Sequence, residues 1–401
     1  MSELSPRLAT LRRQGREWAG DLRDHAFAAS HDPSTAARIA DLPLLSVLAR
    51  LPAPAAFGGV PLIIDGEQYN LASALERAVF LEEAAWGDLG LVLSAPGSLL
   101  AGAMVEELAD ETQREWFYER LLRERTWTFL AMTEPGHGSD GAGLRTALST
   151  DPAGDGYLLT GEKRYVGNAT RGRIGVAVAR TAPGPLGICS VLVDGPAGGF
   201  SAAPIRTVGL DGVLGSLVFD AVPIPAHRLL GRHLPASRRG ILGWTRAFTV
   251  LRVIVAAMAV GLSQAALDYV RTHRSMLRSD ERQRLGLFSA RIESLRALIR
   301  HAAAAIDAGS EPGPLASAVK LRAAGLAEEV TLGALAFFGP GARLEHPLLD
   351  KWARDARGVE CMEGTSNIQR MVVAGALLRG AIGPLSAVDR TPATLYQEAH
   401  V

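Results

Sequence analysis

The amino-acid sequence predicts an α+β protein in three parts: an N-terminal helical domain (residues 1–125), a middle antiparallel β-domain (126–236) and a C-terminal four-helix bundle (237–385), followed by a tail (386–401). Three observations lead to this prediction. Apolar residues recur at helical spacing in the first part, with a period of two in the second, and at helical spacing again in the third. Clusters of glycine and proline separate the short runs of the second part. At 401 residues the chain also exceeds what one hydrophobic core usually organises.

Each part has its own pattern. The first begins with Leu4, Leu8 and Leu11, about one helical turn apart. The third carries long helical patterns from Ile241 to about Leu378, which favours a bundle. Four runs rich in Val, Ile, Leu and Tyr lie in the second part, at residues 156–165, 174–180, 187–194 and 216–224.

Composition excludes several classes of protein. The 42 basic and 42 acidic residues cancel, so we expect no nucleic-acid or anionic membrane partner. The longest apolar run, Val253 to Leu262, is too short to span a bilayer. Two cysteines and no signal-like start favour a reducing, cytoplasmic location. No pair of histidines has zinc-ligand spacing, so no metal site is predicted.

Residues 130–143, LAMTEPGHGSDGAG, have the composition of a ligand-cradling turn. Three glycines alternate with Thr133, Ser139 and Asp140. Glycine allows a left-handed backbone and close approach to a ligand, while hydroxyls and amides can point at it. Such clusters are also common in ordinary turns.

Residues 361–370, CMEGTSNIQR, place Glu363 before Gly364 and Thr365 at a predicted helix start. Unpaired N–H groups at a helix start favour an anion such as a pyrophosphate. A helix-capping carboxylate is the ordinary alternative for Glu363.

Together, in this order and separation, the two segments resemble the signature segments of the acyl-CoA dehydrogenase family. Further similar segments lie between them, at residues 161–169, 219–231, 247–267 and 343–357. The resemblance is strongest from about residue 75 to residue 380. It implies an α-β-α domain order with a flavin between the middle domain and the C-terminal helices.

The resemblance implies that Glu363 is the catalytic base, which removes the α-proton of an acyl thioester while the flavin accepts the β-hydride. Glu360 is the nearest rival. Some family members carry the base one residue before the position of Arg252, but Leu251 stands there and cannot accept a proton. The implied donors to the thioester carbonyl are the Glu363 backbone amide and a flavin hydroxyl.

The implied cofactor is FAD. Position by position, the family pattern assigns to it Leu130, Met132, Thr133, Gly138, Ser139, Tyr165, Gly167, Arg274, Gly339, Thr365 and Asn367. Gly167 departs from the pattern, because Thr or Ser usually stands there. Leu277, Arg278 and Leu335 also depart, at the edge where a neighbouring subunit meets the flavin in the family.

The implied substrate contacts are Ser139, Thr249, Arg252 and Gly364. Thr249 replaces an acidic residue that often holds pantetheine, so the thioester carrier is either coenzyme A or an acyl carrier protein. Surface arginines are candidates to meet an acidic carrier protein, namely Arg171, Arg173 and Arg232.

The sequence therefore predicts an FAD-dependent acyl-thioester dehydrogenase that forms a homodimer or homotetramer and passes electrons to an electron-transferring flavoprotein or to oxygen. Three alternatives stay open: a carrier-protein-linked oxidation in a biosynthetic pathway, a flavin monooxygenase of the same fold, and a non-catalytic flavin-binding subunit. The EGTSNIQR segment argues against the monooxygenase. Chain length and branching of the acyl group are not predicted.

Overall fold

The computed structural model describes residues 4–195, 198–235, 238–310 and 312–381. Within them the predicted fold class is confirmed: helices come first, a curled sheet follows, and a helical bundle closes the chain. The tail predicted at residues 386–401 lies outside the described residues. The domain boundaries stay a prediction.

The N-terminal part is mainly helical. Its helices are α1 (Pro6–Asp24), α2 (Ala26–His31), α3 (Thr35–Arg38), α4 (Pro43–Arg50), α5 (Ala74–Leu93), α6 (Leu99–Leu108) and α7 (Glu111–Arg123). A short antiparallel hairpin of β1 (Leu62–Ile64) and β2 (Glu67–Tyr69) interrupts them. Helix α1 starts at a Ser5 cap, whose hydroxyl accepts from the Leu8 amide.

The middle part is a seven-stranded sheet. Its strands are β3 (Thr128–Ala131), β4 (Ala147–Thr150), β5 (Gly156–Gly167), β6 (Ile174–Arg180), β7 (Ile188–Asp194), β8 (Phe200–Pro204) and β9 (Leu214–Pro225). Most pairings are antiparallel, as predicted, but β3 and β4 both pair with β6 in parallel, so the sheet is mixed. Alternation cannot reveal this, because it reports burial of one face and not strand direction.

The C-terminal part consists of long helices. They are α8 (Ile241–His273), α9 (Ser279–Asp307), α10 (Gly313–Leu335), α11 (Ala342–Glu345), α12 (Pro347–Cys361) and α13 (Ser366–Leu378). Helix α10 packs against α8, α9, α12 and α13. It therefore lies at the centre of the bundle.

Helix α8 connects the parts through buried apolar residues. Val253, Ile254 and Val260 belong to a core shared with α1, α5, α9 and α10. Among the described residues, α8 alone is long and apolar enough to cross a membrane, and 89% of its most apolar window is buried inside the protein. A core helix of a bundle passes the same test.

A buried ion triad ties the three parts together. Lys351 of α12 donates to Asp88 of α5 at 2.5 Å and to Asp355 at 2.6 Å. The other oxygen of Asp355 accepts from the Leu210 amide in the loop before β9. Because buried charges require such pairing, the triad sets how these elements meet.

Candidate active site

A buried ion pair holds the first signature segment. Lys163 of β5 donates to the Met132 carbonyl and to the Glu134 carboxylate, both at 2.9 Å. Glu134 also accepts from the amides of Arg145 and Thr146. Burial opposes ionisation of Glu134, but these hydrogen bonds and the Lys163 charge outweigh it and lower its pKa to about 2. The segment is thus anchored to the sheet by a permanent carboxylate.

The end of β5 presents an aromatic ring and open space. Its pairing with β9 shifts register between Lys163 and Val166, and within this bulge Tyr165 takes a left-handed backbone with φ +60°. The Tyr165 side chain is exposed. No atom lies within 4 Å of where a Cβ on Gly167 would stand. The Arg164 amide donates to the Thr133 carbonyl at 2.8 Å, which holds this end of β5 against the first signature segment.

The residues present fit a flavin. A flat exposed ring suits stacking against another ring system. Within the described part of the chain, neither the Thr133 nor the Ser139 hydroxyl has a partner, so both can meet a ligand. A Cβ on Gly136 would also meet nothing within 4 Å. Leu130 and Met132 are half-buried against an apolar cluster behind the segment.

The second signature segment is a left-handed turn between α12 and α13. Glu363 has φ +51° and Gly364 has φ +95°. Such a backbone is unfavourable for glutamate and persists only where neighbours hold it. Gln369 donates to the carbonyls of Glu363 and Gly364 at 3.0 and 2.9 Å, and Arg252 Nε donates to the Glu363 carbonyl at 3.2 Å.

The two acidic candidates in this turn have different partners. Glu360 accepts from the Ser366 amide at 2.8 Å and from the Ser366 hydroxyl, so it caps α13. No side chain among the described residues donates to the Glu363 carboxylate. The capping role considered for Glu363 is therefore filled by Glu360.

The environment of Glu363 raises the proton affinity of its carboxyl group. Burial raises the pKa of its carboxyl group, while the positive charges of Lys320 and Arg252 act in the opposite direction. A carboxylate with raised proton affinity is what α-proton removal requires.

Helix α8 brings the two signature segments together. A Cβ on Gly141 would lie 3.9 Å from the Trp244 ring, and Phe248 packs against the same cluster as Met132. Arg252, eight residues after Trp244, contacts Glu363. Eight helical residues span about 12 Å, so both segments border one short stretch of α8.

Other predicted contacts have partners inside the chain. The Thr249 hydroxyl donates to the Thr245 carbonyl at 2.8 Å, and Arg252 is buried. Arg274 donates to the Phe337 carbonyl and to Glu281. Arg171 donates to the carbonyls of Pro33 and Gly212. Arg171 thus has a structural role that its surface-docking interpretation did not include.

The remaining predicted cofactor and substrate residues lie in turns. Gly339 has φ +81° with open space around a Cβ position. Thr365 is the N-cap residue of α13, and its side chain accepts no hydrogen bond from the helix. Asn367 accepts from Arg370 at 2.9 Å. The Gly364 carbonyl accepts from Lys320 and Gln369.

Sequence reasoning missed four residues that hold these segments: Lys163, Glu134, Lys320 and Gln369. The sequence offered one signal for the two lysines, because only three of its 42 basic residues are lysines. The structure shows that all three are buried.

The sequence matches two family models. The acyl-CoA dehydrogenase middle domain matches residues 130–222, and the acyl-CoA dehydrogenase C-terminal domain matches residues 238–378. Cyclohexane-1-carbonyl-CoA dehydrogenase of Geobacter metallireducens is 30% identical over 347 residues, which cover 82% of this chain and 86% of that protein. A 3-(aryl)acrylate reductase of Clostridium sporogenes is 28% identical over 330 residues, covering 78% and 86%.

Solved structures share the fold. Butyryl-CoA dehydrogenase from Megasphaera elsdenii superposes with a TM-score of 0.79 at 24% identity, covering 94% of this chain and all of that one. An FAD complex of PigA reaches 0.81 at 20% identity, covering 95% and 100%. The prolyl acyl carrier protein oxidase AnaB reaches 0.79 at 22% identity, covering 94% and 100%.

The acyl-CoA dehydrogenase relatives indicate an oxidoreductase of the class that acts on CH–CH groups. The chain belongs to the acyl-CoA dehydrogenase family.

Proposed function

We propose that this protein catalyses the α,β-dehydrogenation of an acyl thioester with FAD as cofactor and Glu363 as the base. The observation that carries the proposal is the contrast at the second signature turn. Glu360 is committed to capping α13, whereas the Glu363 carboxylate has no donor side chain among the described residues and a pKa raised by burial. Both signature segments also border the same stretch of α8.

The reaction needs one base from the protein. The Glu363 carboxylate takes the α-proton, and the electron pair of the broken C–H bond forms the new double bond as a hydride leaves the β-carbon. FAD, when bound, supplies the two-electron acceptor for that hydride. The product is a 2,3-enoyl thioester. Arg252 and Gln369 hold the Glu363 carbonyl, which keeps the base in its left-handed turn.

For FAD we propose the contacts implied by the family pattern. The first signature segment and the end of β5 would hold the ring system, through Thr133, Ser139, Tyr165 and Gly167. The open space at Gly167 and the exposed Tyr165 ring support this assignment. Thr365 and Asn367 would meet the phosphates and adenosine, together with Gly339. Arg274 is the weakest member, because it already donates to Phe337 and Glu281.

Either coenzyme A or an acyl carrier protein would present the acyl group. Thr249 offers no charge to pantetheine, and its hydroxyl donates within α8. The fold shared with a prolyl acyl carrier protein oxidase supports the carrier-protein alternative. We propose Arg173 and Arg232, both exposed, as contacts for an acidic carrier. A cytoplasmic homo-oligomer and an electron-transferring flavoprotein or oxygen as acceptor complete the proposal.

The test is anaerobic mixing of the purified flavoprotein with acyl thioesters. A panel from propionyl-CoA to octanoyl-CoA is compared with the same acyl groups on an acyl carrier protein. Bleaching of the flavin absorbance with formation of the enoyl thioester is the expected result. Preference for the carrier-bound series, lost in Arg173→Glu and Arg232→Glu variants, identifies the carrier protein.

Two outcomes contradict the proposal. Bleaching only by an external reductant, followed by oxygen-dependent hydroxylation of a substrate, indicates a monooxygenase. Purification without any flavin, and failure to take up added FAD, indicates a non-catalytic subunit.

A further inference from the structure

Three buried lysines each donate to two oxygen atoms. Lys163 meets a carbonyl and Glu134, and Lys351 meets Asp88 and Asp355. Lys320 differs from both, because it donates to two carbonyls and, among the described residues, to no carboxylate. An ammonium is a compact point charge that fits between two close acceptors, unlike the broad guanidinium of arginine. In a chain whose other 39 basic residues are arginines, each of these three lysines lies between two oxygen acceptors.

The two acceptors of Lys320 lie at both ends of the segment that carries Glu363. Its Nζ atom is 2.8 Å from the Glu360 carbonyl and 2.7 Å from the Gly364 carbonyl. Lys320 lies on α10, the central helix of the bundle, and its side chain is fully buried. One buried side chain therefore links the end of α12 to the turn before α13.

Charged side chains of two helices act on Glu363. Lys320 extends from α10 and Arg252 from α8, and both favour the ionised carboxylate. Glu360 and Cys361 at the end of α12 face Lys320 as well. Because Glu360 is bound to Ser366, it does not pair with Lys320 through its side chain. Within the described part of the chain, the Lys320 charge thus remains without a hydrogen-bonded carboxylate.

We propose that Lys320 is a positioning residue for Glu363: its ammonium ties the two ends of residues 360–364 and places a positive charge next to the base. The catalytic part of this inference rests on the proposed function. The structural and electrostatic part does not, since it concerns the fold of the turn and the proton affinity of Glu363.

The direction of each effect follows from the environment. Burial lowers the pKa of Lys320 to about 8, while the charges of Glu360 and Glu363 act against this. Below that pH Lys320 is mostly charged. Replacing it with methionine removes an opposite charge from Glu363, so the pKa of Glu363 moves further up. Replacing it with arginine keeps the charge but changes the donor geometry.

The first experiment needs no reaction. The free energy of unfolding of the holoenzyme is measured against pH for the wild type, Glu363→Gln, Lys320→Met and the double variant. A carboxyl whose pKa is raised by folding makes the protein lose stability as pH rises from its unfolded to its folded pKa. In each Lys320 background, the stability curve of the form with the Glu363→Gln change is subtracted from the curve of the form that retains Glu363. The difference gives the pH window over which Glu363 changes the free energy of unfolding. We expect its upper end to lie at higher pH in Lys320→Met.

Arg322→Met is the matched control, because it removes an exposed positive charge two residues further along α10. It should leave the window unchanged. An unchanged window in Lys320→Met would overturn the electrostatic part of the proposal. If Lys320→Met does not fold, Lys320→Gln takes its place, and the same shift is expected.

The second experiment measures the rate at which the α-hydrogen of an acyl thioester exchanges in D₂O, per bound flavin. Lys320→Met should lose on the order of 100-fold with its pH midpoint raised, since small displacements of a base are costly. Lys320→Arg should be slower than wild type with the midpoint preserved. Exchange rates equal to wild type in both variants would overturn the positioning role.

Failure of the Lys320 inference and failure of the proposed function give different results. If the wild type itself does not exchange the α-hydrogen, the proposed function is wrong, and the unfolding series still decides whether Lys320 sets the proton affinity of Glu363.

Discussion

Glu134 and Glu363, the glutamates of the two signature segments, lie in opposite environments. Glu134 accepts four hydrogen bonds, from Lys163, Arg145 and Thr146, and its pKa falls to about 2. Glu363 receives none from a side chain of the described residues, and burial raises its pKa. The first is fixed as a charge at all ordinary pH values, whereas the second can gain and lose a proton.

The lysines next to these glutamates show the same contrast. Lys163 pairs directly with Glu134, so each neutralises the other. Lys320 holds backbone carbonyls near Glu363, so its charge acts at a distance. The first lysine anchors its glutamate directly, whereas the Glu363 carboxylate keeps no side-chain donor among the described residues.

Breaking the Lys163–Glu134 pair should give the largest loss of stability. Lys163→Met leaves a buried carboxylate without its cation, which costs about 3–5 kcal/mol. Urea unfolding of the protein measures this loss in the free energy of unfolding. The double variant with Glu134→Gln should recover part of the loss, since it removes the stranded charge. A single variant as stable as wild type would show that the pair does not anchor the segment.

Removing the cap at the second segment should have a smaller effect. Glu360→Ala deletes the acceptor for the Ser366 amide and hydroxyl, which costs about 1 kcal/mol. Glu363→Ala deletes no hydrogen bond from a side chain of the described residues and serves as the control. Thermal unfolding of both variants checks that Glu360→Ala loses more stability than Glu363→Ala. A larger loss in Glu363→Ala would mean that Glu363, and not Glu360, is the structural acid of this turn.

The two glutamates should also impose opposite pH dependences, each a modest part of the total stability. The depressed pKa of Glu134 contributes stability that is lost as pH falls toward about 2. The raised pKa of Glu363 makes stability fall as pH rises above the usual carboxyl range. Unfolding free energies of Glu134→Gln and Glu363→Gln against pH should each lose one of these slopes. The same slope in both variants would contradict the contrast.

Much of this arrangement is predictable from sequence. Periodicity predicts the α-β-α order, because the buried faces of helices and strands repeat at different intervals. The family pattern points to Glu363 and to the flavin-binding turn. It also places the family's alternative base position at Leu251, which is excluded because leucine cannot accept a proton.

The supporting contacts are not predictable in this way. Lys320 lies 44 positions before Gly364 in the chain, and its helical pattern does not reveal which carbonyls it meets. Glu360 is recognised as a cap only once the end of α12 and the start of α13 are placed. The parallel pairing of β3 with β6 escapes prediction too, since alternation carries no strand direction.

The most direct test of the central claim compares α-hydrogen exchange of an acyl thioester in wild type, Glu363→Gln and Glu360→Gln, each reconstituted with FAD. Loss of the base should slow exchange in Glu363→Gln by a factor on the order of 1,000, while Glu360→Gln keeps most of the rate per bound flavin. Undiminished exchange in Glu363→Gln would contradict the assignment of this carboxylate as the base.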